Sequence, residues 1–216
     1  FFVIPFKVYE YSVVGQTMGT TYEVKVAQNL SNYHQKIITE DIDSILKAIN
    51  QSMSTYIPDS EISLINKDEV LFKSFIISDD FKYVLDKSLE YYNLTNGAFD
   101  VTVKPLLNLW GFRGDILDKE PKLSAINDVT EYVGSDKIKL IGKQFTKGHP
   151  KLQLDFGAIA KGYAVDKIHH LLLTKGIKNF LFDIGGELII NGSKHKQNWK
   201  IGIQNPLKNI SSPIMQ

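Results

Sequence analysis

A chain of 216 residues, 43% hydrophobic, with 25 basic against 24 acidic side chains and a net charge of +1, carries enough apolar content for a large core. No basic block or stripe points to nucleic acid or to an anionic membrane surface as a partner. The absence of cysteine excludes disulfides, thiolate metal sites and cysteine nucleophiles, and fits an oxidising compartment.

The opening FFVIPFKVYEYSV has neither an initiator Met nor a basic region ahead of its apolar residues. It reads as the remnant of a removed export or anchoring segment, or as a first strand, and no apolar run approaches the roughly 20 residues that span a bilayer. TTYEVKVA, from Thr20 to Ala27, alternates apolar and polar residues as a half-buried strand does. Ile38, Ile42, Ile45 and Ile49 then recur on one face and predict a helix from about Ile37 to Ser52. A second helix is predicted over Asp79 to Tyr92, with Ser78 as N-cap and Phe81, Leu85, Ser88, Leu89 and Tyr92 inward. The charged, Gly- and Pro-rich region from Asp115 to Pro150, with strand signals at Ile138 to Ile141, reads as a surface insertion. Further on, FLFDIGGELIIN predicts two strands about a Gly-Gly break, Asn191-Gly192 a turn, and WKIGIQ a return strand completing a hairpin. Helices set among antiparallel strand signals argue an α+β fold of mixed or antiparallel sheets with packed helices.

The segment LQLDFGAIAKGYAVDKIHHLLLTK, Leu152 to Lys175, runs from a short apolar strand pattern into an amphipathic helix. Helix N-termini present unpaired N–H groups and a partial positive charge, so Gly157 and Lys161 there favour an anion, and Asp155 can accept a hydrogen bond from a ligand. On the alternative reading, Gly157 and Gly162 only let the helix pack closely on the strand. The segment matches neither the phosphate-loop nor the dinucleotide-turn pattern. In QTMGTTY, Met18 is either core filler or a soft contact for a flat ring. STYIPDSEISLIN is a helix exit, a turn at Pro58-Asp59 and a capped turn from Ser60, or it presents the Tyr56 ring for stacking. TNGAFDVTVKPLLNLWGF passes from an Asn-Gly turn into a strand, and Asp100 beside Phe99 reads as a satisfied turn carboxylate. IGGE, Ile184 to Glu187, reads as a bulge or tight bend. His169 and His170 fall within a helix, and neither a zinc-hydrolase helix motif nor a nucleophile elbow occurs.

Taken in order from Met18 to Pro206, MGTTYEVKV, STYIPDSEISLIN, NGAFDVTVKPLLNLWGF, LDFGAIAKGYAVD and DIGGELIINGSKHKQNWKIGIQNP closely resemble the ApbE family, the FAD:protein FMN transferases. The resemblance implies a single ApbE-like, T-fold-like domain over residues 1–216, incomplete at its C-terminus. It implies an Mg²⁺-dependent enzyme that splits FAD, attaches FMN through a phosphoester to a Thr of an acceptor subunit of a membrane redox complex, and releases AMP. The implied location is the bacterial cell envelope, periplasmic or extracytoplasmic and membrane-anchored. Carried over, Met18 and Tyr56 lie at the flavin, Ala98, Phe99 and Asp100 form part of the FAD wall, Asp155 and Lys161 contact FAD, and Ala158 offers its carbonyl to Mg²⁺. The family's usual later segment, like H-x-I-D-P-x-T-G followed by a D-A-D-A-like stretch, has no counterpart here, so the catalytic base and the remaining metal ligands stay unassigned. Alternatives from other classes are a flavin-binding or trafficking protein without catalysis, and an FAD pyrophosphatase giving FMN and AMP; Tyr56, where hydrolysing relatives can carry Asn, favours the transferase.

Overall fold

The computed structural model describes residues 10–112, 120–204 and 213–215. In chain order its elements are β1 (Tyr11–Thr17), β2 (Thr20–Val26), α1 (Asn32–Met53), α2 (Glu61–Lys67), β3 (Ser74–Ile76), α3 (Asp79–Leu94), α4 (Lys104–Leu109) and α5 (Leu123–Thr130). They continue with β4 (Ile138–Ile141), β5 (Gln144–Lys147), α6 (Ala160–Thr174), β6 (Phe180–Ile184), β7 (Glu187–Asn191), β8 (Ile203–Gln204) and β9 (Pro213–Met215). Two compact units are present, Phe1–Asp43 with Val165–Gln216, and Ser44–Ala164; the division falls inside α1 and inside α6.

The first unit is built on an antiparallel sheet in the order β1-β2-β6-β7. Both of its hairpins close through two residues with positive φ, Met18 (50°) with Gly19 (73°) and Gly185 (56°) with Gly186 (101°). That pair of left-handed residues turns the chain with the twist that antiparallel strands require. IGGE is therefore a tight hairpin turn and not a bulge. A Cβ on Gly185 would meet Thr20 Oγ1 at 2.7 Å, so close approach as well as φ calls for glycine there. Across the β1–β2 pair Gly15 faces Tyr22, whose ring covers it so closely that a Cβ would lie 2.3 Å from the ring. Val24, Val26, Phe180, Phe182 and Ile184 are fully buried on these strands and form the core of the unit.

Helix α1 begins at Asn32, earlier than the apolar period indicates, because Ser31 starts it through bonds from His34 N–H to Ser31 Oγ (3.3 Å) and from Gln35 N–H to Ser31 C=O (3.0 Å). The first turn, NYHQ, is polar and so carries no apolar signal. WKIGIQ does not form the expected return strand on β7: only Ile203 and Gln204 are extended, and they pair with Pro213–Met215. Alternation alone marks a strand without choosing its partner.

In the second unit Ser78 caps α3 as expected, accepting from Phe81 N–H at 3.2 Å, and Phe81, Val84, Leu85 and Ser88 are buried. The helix closes at Asn96 and Gly97, both with positive φ, where Gly97 N–H donates to Tyr92 C=O at 2.8 Å. Described residues from 120 to 150 are not a surface insertion. They supply β4 and β5 of a three-stranded sheet, β3-β5-β4, in which Phe145 and Lys147 are almost fully buried. The strand expected after Phe99 is also absent. Residues 101 and 102 form a turn, Val103 makes only a single bridge, and Pro105 enters the first turn of α4, where its missing N–H costs no bond.

Each unit holds a buried tyrosine against a carboxylate: Tyr22 O–H donates to Asp43 at 2.5 Å, and Tyr163 O–H to Asp80 at 2.6 Å. Burial first, and then the neighbouring carboxylate, raises both phenol pKa values above the ordinary value near 10. In the unfolded chain these phenols lose their protons first, so the folded state binds more protons above about pH 10 and its stability falls there as pH rises. Below that pH the two groups contribute no pH dependence. The expected result is a thermal midpoint that drops above about pH 10, with a shallower drop in Tyr22→Phe and in Tyr163→Phe, measured by circular dichroism against pH. Equal slopes in variant and unsubstituted chain would contradict the assignment.

Candidate flavin site

The corner from Leu152 to Lys161 lies within the second unit up to Ala164. Leu152, Leu154 and Phe156 are almost fully buried, with alternation appropriate to a strand. No regular strand forms, however; one parallel bridge joins Gln153 to Val103. Phe156 packs edge-to-face on Phe81 of α3 with centroids 4.9 Å apart, which anchors the corner in the core. Directly after it the chain becomes exposed at Gly157 and Ala158, then enters α6 as the N–H groups of Ile159 and Ala160 both donate to Phe156 C=O.

Asp155 is 6% exposed and accepts from Gly157 N–H at 2.7 Å, a turn in which the carboxylate holds the backbone two residues on. Lys161 is half-buried in the first turn of α6. Gly162 is exposed, and a Cβ there would meet nothing within 4 Å, so close helix packing does not account for it. The corner thus combines a helix N-terminus, exposed backbone at Gly157 and Ala158, one cation and one anion.

The segment 98–103 is joined to this corner through Asp155 N–H, which donates to Val101 C=O at 2.8 Å, and through the Val103–Gln153 bridge. Ala98 is exposed; Phe99 is half-buried, its ring edge-on to Tyr91 at 5.8 Å. The Asp100 carboxylate is a hub, accepting from Thr102 N–H (2.8 Å), Thr102 Oγ1 (2.7 Å), Ser135 N–H (3.1 Å) and Ser135 Oγ (2.7 Å). The satisfied-carboxylate reading of Asp100 therefore holds, and the side chain is committed to the protein.

Tyr56 is 75% exposed on the loop between α1 and α2. That loop is tied by Ser60 Oγ and Ser63 Oγ, which both donate to Ser54 C=O, at 2.6 and 3.3 Å, while Ser60 caps α2 by accepting from Ser63 N–H. Met18 belongs to the first unit, half-buried at the tip of the β1–β2 hairpin with its backbone held at positive φ. An open groove of about 900 Å³ in the second unit is lined by Ser52, Asp59, Glu61, Ile76 and Asp79 rather than by the corner. Its Glu61 is committed to Ser52 and Ser78 through bonds of 2.6 to 2.8 Å.

Ala158 offers a hard main-chain oxygen on exposed backbone, but among the described residues no group of three His, Asp or Glu side chains converges. These residues alone do not build an Mg²⁺ site. Two residues that organise the corner, Asn66 and Lys147, carried no sequence signal as site residues. Asn66 closes the quoted STYIPDSEISLIN segment, and only its position beside a buried extended stretch gives it a role.

The ApbE family model matches residues 18–216, nearly the whole of the described chain and every residue of the candidate site. The chain belongs to the ApbE family. It is 36% identical over 197 residues to an FAD:protein FMN transferase of Vibrio cholerae, covering 89% of this chain and 58% of that one. To the protein of the same name in Haemophilus influenzae it is 37% identical over 202 residues, covering 90% and 58%. The chain thus spans a little over half the length of these curated relatives. Among solved structures, the flavin transferase ApbE of Vibrio cholerae is similar with a TM-score of 0.86 at 34% identity, over 92% of this chain and 65% of that one. The apo flavinyl transferase ApbE of Pseudomonas stutzeri gives 0.83 at 30% identity, over 92% and 66%. The α+β architecture of this ApbE chain is that of those structures.

Proposed function

We propose that this ApbE chain carries the flavin-holding part of an FAD:protein FMN transferase. The observation that carries the reading is the corner at Asp155–Lys161, where a helix N-terminus, exposed backbone and Lys161 suit the pyrophosphate of a dinucleotide. The names of the relatives give the reaction its direction. Exposed Tyr56 supplies a ring for the isoalloxazine, and the backbone of Ala98 and Phe99 a wall joined to the corner. Asp155 holds the turn and faces the ligand's hydroxyl and amide groups.

In the proposed reaction a Thr hydroxyl oxygen of the acceptor attacks the FMN phosphorus of FAD. The bond from that phosphorus to the bridging oxygen breaks, AMP leaves with the oxygen, and the hydroxyl proton passes to a base outside the residues assigned here. Positioning and neutralisation of charge dominate such transfers. Lys161 neutralises the pyrophosphate; Mg²⁺ would supply further charge neutralisation only with ligands beyond the described residues, which offer it the one main-chain oxygen of Ala158. The acceptor is proposed to be a subunit of a membrane redox complex, and the compartment the periplasmic or extracytoplasmic envelope, with membrane anchoring.

The test is incubation of the chain with FAD, Mg²⁺ and a Thr-bearing acceptor subunit, read as flavin fluorescence on the acceptor band of a denaturing gel. A fluorescent acceptor supports transfer by these residues, while a dark one with FAD retained by the chain limits them to holding the flavin. A fluorescence titration accompanies it, in which Asp155→Ala is expected to weaken FAD retention by about tenfold or more, a loss of roughly 1.4 kcal/mol per factor of ten. Equal affinity would contradict the site.

A further inference from the structure

We propose that Asn66 is a positioning residue for the flavin site, fastening α2 as a strut between the Tyr56 loop and the Asp155 corner; this rests on the flavin reading above. Asn66 is 5% exposed at the end of α2, and its carboxamide engages both backbone groups of one residue 88 positions away. Nδ2 donates to Leu154 C=O at 2.8 Å, and Oδ1 accepts from Leu154 N–H at 2.7 Å. That is the pair of bonds a neighbouring strand would make, delivered by a side chain where no strand lies. It explains why the Leu152–Leu154 stretch stays extended and buried without a regular ladder.

The next residue along the chain is Asp155, so the carboxamide fixes the backbone from which that carboxylate projects. At its other end α2 holds the Tyr56 loop through Ser60 and Ser63 on Ser54 C=O. A helix of seven residues with both ends bonded in this way has no slack. Lys147 secures the same joint: its ammonium donates to Ile65 C=O (3.2 Å) and Asp68 C=O near the end of α2, and to Pro150 C=O (3.0 Å) ahead of the corner. Gln153 Nε2 donates at 3.5 Å to Asn66 C=O. The ring-bearing loop and the anion-bearing turn are thereby held at a fixed spacing, which a ligand with a planar ring at one end and phosphates at the other requires of its site.

Asn66→Asp keeps the shape and the acceptor for Leu154 N–H but replaces the donor to Leu154 C=O with a carboxylate oxygen. FAD binding by the 216-residue chain is measured by fluorescence titration for the unsubstituted protein, Asn66→Asp, Asp155→Asn and the double variant, with urea midpoints as the folding control. The expected result is about a tenfold weaker affinity for Asn66→Asp and a double variant no weaker than Asp155→Asn alone, the non-additivity of residues acting through one another. The visible circular dichroism of the bound flavin is expected to change in Asn66→Asp, which a loss of stability elsewhere would not produce. Unchanged affinity in Asn66→Asp, or losses that multiply in the double variant, would overturn the role. Failure of the unsubstituted chain to bind FAD would instead remove the flavin reading, and this role with it, before any substitution is compared. Should Asn66→Asp not fold, Asn66→Ser is read the same way, because the shorter side chain presents one polar atom where the carboxamide presents two to Leu154.

Discussion

Lys147→Met is expected to lower the stability of the Ser44–Ala164 unit by about 3 kcal/mol, measured as the shift in urea midpoint multiplied by the unfolding slope. The side chain is 1% exposed on β5, and burial lowers its pKa while the Asp68 and Glu69 carboxylates pull it back up. A buried ammonium is tolerable only when its donors are used, and here three carbonyls, of Ile65, Asp68 and Pro150, receive them. Methionine matches the volume and keeps the apolar stem, so the packing contribution is largely retained. What it loses is every bond to those carbonyls, of which Ile65 C=O belongs to a buried residue and those of Asp68 and Pro150 to half-buried ones. The loss is therefore a desolvation cost of unpaired acceptors, typically about 1–3 kcal/mol for one group and less than additive for three that share one donor. A change below about 0.5 kcal/mol, the ordinary level for surface substitutions, would show that the carbonyls find water and that Lys147 does not fasten α2 to the corner.

Asn66 and Lys147 mark the boundary of what the chain made legible. Features that depend on neighbours in sequence could be read directly: Ser78 and Ser60 as caps, the Asn96-Gly97 helix end as a turn, the isoleucine stripe of α1, and the glycines of the β6–β7 hairpin. Each is a local matter of φ, capping or periodicity. The bond from Asn66 to Leu154 spans 88 positions, and that from Ser135 to Asp100 spans 35, with no periodic trace of either. β4 is legible as the strand signal at Ile138–Ile141, but β3 and β5 are three and four residues long, too short for alternation to separate them from loop, so the region holding β4 and β5 reads as an insertion. WKIGIQ failed for the opposite reason: its alternation was visible, but the partner is Pro213–Met215 and not β7. The proposed site residues are marked as a set by family motifs alone. Asp100 reads locally as a satisfied carboxylate and proves to hold protein groups, Ser135 among them from 35 positions away, while the surface exposed beside it is that of Ala98.

That division of labour around Asp100 sets the second large effect. Asp100→Ala is expected to destabilise the second unit by about 3 kcal/mol, because Thr102 and Ser135, which are 0% and 3% exposed, would keep four donor groups with no acceptor. Thr102 Oγ1 also accepts from Gly134 N–H at 2.7 Å, and Gly134 sits at φ 139°. Losing the carboxylate therefore loosens the turn that joins residues 98–103 to the β4 side of the unit as well as the carboxylate's own bonds. Asp100→Asn is the informative companion. It preserves shape and one acceptor oxygen but turns an N–H₂ toward hydroxyl and amide donors, so it should cost less than alanine while still moving the urea midpoint. Two outcomes separate scaffold from ligand contact. If Asp100 acts by shaping the wall, FAD affinity measured well below the unfolding transition should fall in proportion to the loosening, and Asp100→Asn should lie between alanine and the unsubstituted chain in both stability and affinity. If instead the carboxylate meets FAD directly, Asp100→Asn would lose affinity as fully as alanine while retaining most of its stability. The four bonds already drawn to this side chain predict the first pattern.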